Sequence, residues 1–340
     1  MKLMLAAGRL FEAAPGAFVY VQSPPLWLSA VYYLALGLFV LASARGMARR
    51  FQWAGVVAVC ALAIGLAARN SEQTVTLTAL NVGEGNALFV DLPGERHDTL
   101  IDCGPARTAR STLQPFLRAQ GCDRIETLIL SHADVNHVGG IGAVLSGFHP
   151  RRIYDNGQSR WTRSTTEPLP GYRPLRLVAG ATLPLAAGVE LRVLHPPAGP
   201  LARLSDDNAL VLQLRYGTHR VLLASDIGAS VERQLVAAQT DLRSDVLIKG
   251  LHNRESSCTD DFLDAVAPRW VVISCSGARY EAAVLEPMTK RIGDRGARAL
   301  VTGLHGAVTI RLQPDELRVK SFLPAPAAVL SSAADETMWP

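Results

Sequence analysis

Two long apolar runs occupy most of the N-terminal part of the chain. Residues 26–44 and 51–67 contain no charged side chain, and each run is close to the roughly 20 apolar residues that cross a hydrocarbon core about 30 Å thick. Both runs are apolar on every side and carry aromatic residues near their ends, which is typical of membrane helices. They predict a transmembrane hairpin over residues 26–69. The alternative is a pair of buried helices in a soluble protein.

The connector between the two runs, RGMARR, suggests an orientation for this hairpin. It carries Arg45, Arg49 and Arg50, and short loops rich in arginine and lysine tend to stay in the cytoplasm. We therefore expect everything after residue 69 to face the periplasm or the cell exterior. Residues 1–25 predict a short interfacial segment, and the abrupt start leaves open that the chain is one end of a longer membrane protein.

From Thr74 onward the pattern changes to short β-type runs with helix-like stretches between several of them. The β-type runs are TVTLTALNV, ALFVDL, HDTLIDCG, IETLILS, VELRVLHP, ALVLQLRYG, HRVLLASD, SDVLIKG, RWVVISC, RALVTG, AVTIRL and LRVKSF. The helix-like stretches are RSTLQPFLRAQ, GGIGAVLSGF, ASVERQLVAAQ and TDDFLDAVA. This mixture indicates a layered α/β domain with two sheets over residues 70–322. Residues 161–185 predict an irregular surface excursion, and residues 323–340 predict a flexible tail.

Composition narrows the function classes only slightly. A net charge of +4 over 340 residues argues neither for nor against an anionic substrate. The five cysteines form no C-x-x-C pair, so they do not indicate a cysteine metal site. We expect them to be small buried residues, although a disulfide between two of them stays open in an exported domain.

Candidate metal ligands follow three of the predicted strands. The segment SHADVNHVGG, directly after TLIL, contains His132, Asp134 and His137, while Asp226 follows VLLAS and His252 follows VLIKG. Loops that are anchored at strand ends can bring donors from distant parts of a chain together. Each residue alone could be a polar cap, but the five together predict a metal site.

The order of these segments resembles the metallo-β-lactamase fold, and in particular the C-terminal domain of ComEC-type DNA-internalisation competence proteins. The matching segments, in chain order, are LNVGEGNA, LIDCG, SHADVNHVGG, DNALVL, LASD, GLHNRESS, APRWVVIS and GAVTIRL. The likeness covers roughly residues 75–312, and the preceding PPLWLSAVYYLALGLFVL resembles the last membrane segments before that domain. Several ordered motifs are more specific than any single one.

This resemblance implies a four-layer αββα sandwich with a dinuclear centre of zinc or manganese. His132 and Asp134 would hold one metal, His137 would help to hold the second, Asp226 would bridge the two, and His252 would be a further ligand. Asp134 and Asp226 would be the catalytic carboxylates. Two ions about 3.5–4 Å apart can activate a bridging water and clamp a phosphodiester. The resemblance therefore implies phosphodiester cleavage, acting on the DNA strand that does not enter the cell.

The chain departs from the family pattern mainly around this same site. The substituted positions are Asn81, Asn86 and Asn136 in place of Asp, Leu251 in place of His, Asn253 and Arg254 in place of Gly-Ser, and Ala209 in place of the Ser after Asn208. An amide oxygen is a weak neutral donor and cannot act as a general base. The five remaining donors can bind one ion but hold two poorly.

Two further residues complete the expected site. Asp102 lies in the first βα turn, where a carboxylate can orient metal ligands without binding the metal itself. Arg254 is expected at the site mouth, either to neutralise a phosphate or to take the place of a missing cation beside Asp226.

Three functional hypotheses follow from these residues and from the resemblance. The first is a phosphodiesterase or nuclease anchored, as a multi-pass protein, in the bacterial inner membrane. The second is a catalytically inactive module that binds DNA or a partner during DNA uptake. The third is a scaffold whose membrane hairpin joins a separate channel-forming subunit.

Overall fold

The computed structural model describes residues 20, 26–45, 53–61, 65, 74–94, 98–158, 172–252, 254–277 and 282–324. Their contacts divide the chain into two compact units, one of Met1–Thr74 with Phe116–Asp123 and the other of Val75–Pro115 with Arg124–Pro340. The predictions for residues 1–25, apart from Tyr20, and for residues 325–340 lie outside the described residues.

The first unit contains one long apolar helix, Leu26–Ala44. This helix has 19 residues and a mean hydropathy of 1.9 in its most apolar window, of which 6% is buried. Its length and composition suffice to cross a membrane. The second apolar run is helical over residues 53–61, and the Phe39 and Trp53 rings lie 5.1 Å apart. Because the connector, residues 46–52, lies outside the described residues, the two-helix hairpin stays a prediction.

The described residues of the second unit form two sheets. The strands are β1 Val75–Ala79, β2 Leu88–Asp91, β3 Thr99–Ile101, β4 Thr127–Leu130, β5 Arg152–Asp155, β6 Leu175–Arg176, β7 Thr182–Ala186, β8 Val189–His195, β9 Val211–Tyr216, β10 His219–Ser225, β11 Val246–Lys249, β12 Trp270–Ile273, β13 Arg298–Val301, β14 Val308–Gln313 and β15 Glu316–Ser321. The first sheet has the order β15-β14-β1-β2-β3-β4-β5-β6, and the second has the order β13-β12-β11-β10-β9-β8-β7. The prediction of a mixed α/β domain with two sheets is confirmed.

The helical segments connect these strands. Their bounds are Ala106–Thr108, the π-helical Ala109–Leu113, Gln114–Ala119, Val135–Val138, Ile141–Phe148, the 3₁₀ turn Asp206–Asn208, Ala229–Ala237, Asp260–Val266, Ala282–Asp294 and Thr302–His305. The helix Ala282–Asp294 was not among the predicted helix-like stretches, and it contains Pro287 in its interior.

Each sheet has a parallel portion, and the candidate ligands follow it. Strands β3, β4 and β5 run parallel in the first sheet, and β10, β11, β12 and β13 run parallel in the second. The loops with His132, Asp226 and His252 come directly after β4, β10 and β11. Parallel strands present their carboxyl ends at one edge of a sheet, which is where ligand sites form in such sheets.

Two apolar cores hold these layers together. One core contains residues from both sheets, such as Leu77 of β1 and Leu223 of β10. The other joins the second sheet to helices and contains Leu222 of β10 and Phe262 of Asp260–Val266. The neighbours Leu222 and Leu223 belong to different cores because successive side chains of a strand point to opposite faces. The second sheet is therefore buried on both faces, and its strand ends are firmly positioned.

The prediction of an irregular excursion over residues 161–185 is wrong where the structure describes this segment. Residues 161–171 lie outside the described residues, but β6 and part of β7 fall within the rest. Strand β6 pairs parallel with β5, and β7 pairs antiparallel with β8. A strand of two residues is too short to show a period along the sequence, so its pairing could not be predicted.

Candidate metal centre

Three of the five predicted ligands meet at one point. Among the residues that the structure describes, His132, His137 and Asp226 each offer a donor atom, and these atoms all lie within 4.8 Å of one another. His132 and His137 are each 1% exposed, and Asp226 is 8% exposed. The loops after β4 and β10 thus bring donors from both sheets into one buried cluster.

The loop after β4 is shaped by a helix cap. The Asp134 carboxylate accepts a hydrogen bond of 2.8 Å from the Asn136 backbone N–H and caps the short helix Val135–Val138. This turn carries His137 back beside His132, and the two rings lie 4.2 Å apart. Asp134 is half-buried and lies outside the three-donor cluster.

Asp102 is the buried residue that orients this loop. It has a φ of 62° and is fully buried. Its carboxylate accepts hydrogen bonds of 2.8 Å from the Ser131 backbone N–H and from the Ser131 hydroxyl. The same carboxylate lies 2.8 Å from His137 Nδ1. Asp102 therefore fixes both the end of β4 and the direction of the His137 ring.

His137 lies between two carboxylates, since its Nε2 is 2.9 Å from Asp226 Oδ2. Burial acts to lower the pKa of His137, but the charges of Asp226 and Asp102 outweigh it and raise this pKa well above the usual value. Burial acts to raise the pKa of Asp226, while the charge of His137 holds it below the usual value. Without metal, the two groups form a buried ion pair.

The pKa of His132 is shifted in the opposite direction to that of His137. Burial, together with the charge of His137, lowers the pKa of His132. Its Nδ1 lies 2.9 Å from the Ser131 hydroxyl oxygen. Its Nε2 is buried without a hydrogen-bond partner among the described residues. His132 is therefore a neutral ring with one ring nitrogen facing the centre of the site.

His252 lies close by but is held in a different way. Its Nδ1 accepts hydrogen bonds from the backbone N–H groups of Arg254 and Glu255, at 3.0 and 2.9 Å. A ring nitrogen that accepts two such bonds carries no proton, so the proton of the neutral ring is on Nε2. That Nε2 lies 3.5 Å from Asp207 Oδ1. This Nε2 is buried without a hydrogen-bond partner among the described residues, and His252 lies outside the three-donor cluster.

The three asparagines that stand where the family has aspartate differ in their burial and in their neighbours. Asn81 is exposed and accepts a hydrogen bond from the Gly83 N–H. Asn86 is buried, and its side-chain nitrogen lies 3.4 Å from Asp102 Oδ2. Asn136 is half-buried, and its backbone passes so close to Gly85 that a Cβ there would lie 2.0 Å from the Asn136 carbonyl oxygen.

Arg254 does not replace a metal ion. Its side chain is exposed, and its contribution to the site is the backbone N–H that donates to His252. The acid that pairs with Asp226 is instead His137. The hypothesis that the Arg254 guanidinium takes the place of a cation beside Asp226 is therefore wrong.

Sequence reasoning missed three residues of this site. Ser131 links Asp102 to His132 through its hydroxyl, and Asp206 and Asp207 approach His132 and His252. Ser131 could have been noticed because it directly precedes His132. Asp207 is the first residue of the segment DNALVL, which was singled out for its likeness to a family motif, and Asp206 directly precedes that segment.

The donor set suits one divalent cation. The buried His132 Nε2 and Asp226 Oδ1 have no hydrogen-bond partner among the described residues, and leaving such atoms unsatisfied costs roughly 1–3 kcal/mol each. Two imidazoles and a carboxylate are a common ligand set for zinc, and three protein ligands with water suffice for a catalytic ion. The cluster thus fits a single ion.

Comparison with known proteins assigns the family. Residues 80–276 match the metallo-β-lactamase superfamily, and the chain belongs to this superfamily, in which divalent metals such as zinc are typical.

The chain is also 29% identical over 259 residues to competence protein ComA of Neisseria gonorrhoeae, covering 74% of this chain and 35% of that protein. It is 23% identical over 254 residues to ComE operon protein 3 of Bacillus subtilis, covering 68% and 32%. The resemblance to ComEC-type competence proteins is thereby confirmed, and the chain spans about a third of the length of these two relatives.

Solved structures to which the chain is similar include a CmlA β-hydroxylase E377D mutant, with a TM-score of 0.48, 15% identity and coverage of 70% of this chain and 54% of that chain. The metallo-β-lactamase fold protein YhfI from Bacillus subtilis gives a TM-score of 0.45 and 12% identity, with coverage of 71% and 99%.

Proposed function

We propose that this chain acts in DNA uptake and that its metallo-β-lactamase domain is a metal-dependent phosphodiesterase with a single ion. His132, His137 and Asp226 hold this ion. The observation that carries the proposal is their approach within 4.8 Å of one another in a buried position. The likeness to competence proteins supports DNA as the substrate, since DNA supplies phosphodiesters.

One ion, zinc or manganese, is proposed rather than two. A second ion needs further carboxylates, and Asn136 offers only a neutral amide where the family has Asp. Asp134 already accepts a hydrogen bond from the Asn136 backbone N–H. We therefore assign Asp134 to the support of the loop rather than to metal binding or catalysis, and we keep Asp226 as the carboxylate of the centre.

The bound ion supplies an activated water and a positive charge for the phosphate oxygens. The protein residues orient the metal ligands and contact the substrate. Asp102 and Ser131 hold His137 and His132 in their ligating orientations. The His252 Nε2–H can donate a hydrogen bond to a phosphate oxygen, and the ester oxygen that leaves takes up the proton that the attacking water gives up. Products are a phosphate monoester and an alcohol.

A non-catalytic module is the second candidate, and the asparagines favour it. Neither Asn81, Asn86 nor Asn136 can accept a proton from water at neutral pH. A domain that keeps the fold but lacks a general base would bind DNA or a partner protein of the uptake machinery without cleaving it.

Membrane attachment belongs to the proposal as well. The helix Leu26–Ala44 is long and apolar enough to anchor the chain, and we propose that it forms a hairpin with the second apolar run in the bacterial inner membrane. The arginine-rich connector would then lie in the cytoplasm and the domain outside it. A separate channel-forming subunit is the partner that such a hairpin would join.

Fusions to alkaline phosphatase, which is active only outside the cytoplasm, test this orientation. A fusion after residue 69 should be active in bacterial cells, whereas activity only in fusions within the connector would show the opposite orientation.

The central experiment measures cleavage of a single-stranded DNA and of bis(p-nitrophenyl) phosphate by the purified chain with zinc or manganese. We expect turnover that is lost in His132→Ala and kept in His149→Asn. His149 is a suitable control because it is exposed and has a φ of 41°, which asparagine tolerates. Salt-sensitive DNA binding without cleavage would favour the non-catalytic module. Turnover equal in both variants would contradict the assigned site.

A further inference from the structure

We propose that Asp206 is a fourth ligand of the metal ion, which restores the carboxylate that is missing at Asn136. This inference rests on the proposed metal binding by His132, His137 and Asp226. Asp206 lies in the 3₁₀ turn Asp206–Asn208, which leads into β9, and it is 5% exposed.

The first argument is a distance. Asp206 Oδ1 lies 3.6 Å from His132 Nε2, which is longer than the roughly 2.7–3.2 Å of an N–H···O hydrogen bond. Two ligand atoms that are each about 2.0–2.1 Å from a tetrahedral ion lie about 3.3–3.4 Å from each other. The observed separation is thus closer to that of two ligands of one ion than to that of a hydrogen-bonded pair.

The second argument concerns the proton of His132. The Ser131 hydroxyl donates its hydrogen to Asp102 Oδ2 at 2.8 Å, so its oxygen accepts from His132 Nδ1 at 2.9 Å. The neutral His132 ring therefore carries its proton on Nδ1 and presents a lone pair at Nε2. This Nε2 has no hydrogen-bond partner among the described residues.

A lone pair that faces a carboxylate oxygen at this distance is unfavourable unless a cation or a water hydrogen lies between them. On the other side of Asp206, its Oδ2 lies 4.0 Å from His252 Nε2, the nitrogen to which we assigned a proton. Asp206 therefore faces a bare nitrogen on one side and a proton donor on the other. Asp206 is not one of the three donors that lie within 4.8 Å of one another, so we place its contact with the cation on the His132 side of that cluster.

The third argument is that Asp206 is held in place by protein contacts. The Asn208 side chain accepts a hydrogen bond from the Ala202 N–H at 2.6 Å and donates to the carbonyl oxygens of Ala202 and Leu204 at 2.9 and 2.6 Å. The Leu210 N–H donates to the Ser131 carbonyl oxygen at 3.0 Å. The loop that carries Asp206 is thus fixed against the loop that carries His132.

Charge completes the argument. Two neutral imidazoles with Asp226 alone leave a divalent ion with a residual positive charge. A second carboxylate at Asp206 balances that charge, as an aspartate at position 136 would. The adjacent Asp207 has its Oδ1 3.5 Å from His252 Nε2, and the proposal gives it no contact with the ion.

The test is zinc affinity of the purified full-length chain, measured by competition with a chromogenic chelator. Asp206→Asn keeps the shape of the side chain and should raise the Kd for zinc by at least about tenfold. The matched control Asp207→Asn should change it by less than about threefold, since the proposal does not make that residue a ligand. Cobalt(II) bound in place of zinc should show altered visible absorption in Asp206→Asn and not in Asp207→Asn, because these bands report the coordination geometry.

The outcomes separate the two proposals. Zinc binding that is lost in His132→Ala but unchanged in Asp206→Asn would overturn the role of Asp206 and leave the proposed function standing. Equal losses in Asp206→Asn and Asp207→Asn would also overturn it, since they would indicate a general effect of negative charge. Absence of zinc binding by the wild-type chain would contradict both proposals.

Discussion

The Asp102 carboxylate lies 2.8 Å from His137 Nδ1 and, through its other oxygen, 2.8 Å from the Ser131 backbone N–H. A residue that belongs to the turn after β3 thus sets the orientation of a candidate ligand that follows β4. Because Asp102 is fully buried, its charge acts on His137 with little screening by water.

Replacing Asp102 by Asn should weaken zinc binding by about 10–100-fold, the range seen when the partner of a metal-bound histidine is removed. The amide keeps the size of the side chain but removes the charge that holds His137. Asp123→Asn is the matched control, since the Asp123 side chain is 47% exposed and pairs with Arg118 at the surface. Chelator competition measures the Kd for zinc of both variants. An unchanged Kd in Asp102→Asn would show that His137 binds zinc without the support of the Asp102 charge.

Zinc affinity should fall as the pH is lowered. Without metal, His137 holds protons on both nitrogens because Asp226 and Asp102 raise its pKa well above the usual value, and the metal must displace the Nε2 proton. Below that pKa, each unit of decrease in pH should raise the apparent Kd about tenfold. Isothermal titration between pH 6 and 8 in two buffers of different ionisation enthalpy would report the released proton. A Kd independent of pH, with no proton release, would contradict the proposed ligation by His137.

Gly250→Ala should displace the Asp226 carboxylate and so weaken zinc binding. A Cβ at Gly250 would lie 2.0 Å from Asp226 Oδ1, so the carboxylate must move away from the His132–His137 pair. We expect zinc affinity to drop about tenfold or more, as for other disturbed ligands. Gly142→Ala is the control, because no atom lies within 4 Å of the added carbon and alanine favours the helix. Equal Kd values for the two variants would mean that the Asp226 carboxylate can shift without loss.

The loop between β11 and Asp260–Val266 depends on a buried ion pair. Glu232 Oε1 lies 3.5 Å from Lys249 Nζ, and both side chains are fully buried. Glu232 also accepts the backbone N–H groups of Cys258 and Thr259, each at 2.8 Å. Glu232→Gln should lower the free energy of unfolding by about 3–5 kcal/mol because it leaves the Lys249 charge buried without its partner.

Urea unfolding of the purified chain, followed by tryptophan fluorescence, measures this loss. Glu286→Gln is the control at an exposed position and should leave the midpoint unchanged. The double variant Glu232→Gln with Lys249→Met should recover part of the stability, since it removes the unpaired charge. No recovery would indicate that the hydrogen bonds to Cys258 and Thr259, rather than the charge pair, provide the stability.

The sequence predicted the strands that carry the site because these strands are apolar on both faces and end at polar residues. β4, β10 and β11 are read directly from TLIL, VLLAS and VLIK. The helix Ala282–Asp294 was missed because Pro287 interrupts its pattern. Strands β5, β6 and β7 were missed because runs of two to five residues show little period.

The candidate site was predicted in part. His132, His137 and Asp226 converge, and this follows from loops at strand ends. The hydrogen bonds at His252 Nδ1 and the approach of Asp206 to His132 depend on the local course of two loops, which no spacing of residues reveals. Arg254 illustrates the same limit, because its place in the chain suggested a guanidinium beside Asp226 while its side chain is exposed.

Metal content of the wild-type chain tests the central claim most directly. The chain should be purified, equilibrated with zinc, freed of loose metal and analysed by inductively coupled plasma mass spectrometry, alongside His132→Ala and Asp226→Asn. We predict about one zinc per wild-type chain, as expected for a single metal site, and little zinc in either variant. A wild-type chain that retains no zinc, or variants that retain as much as the wild type, would contradict the claim that His132, His137 and Asp226 form a metal site.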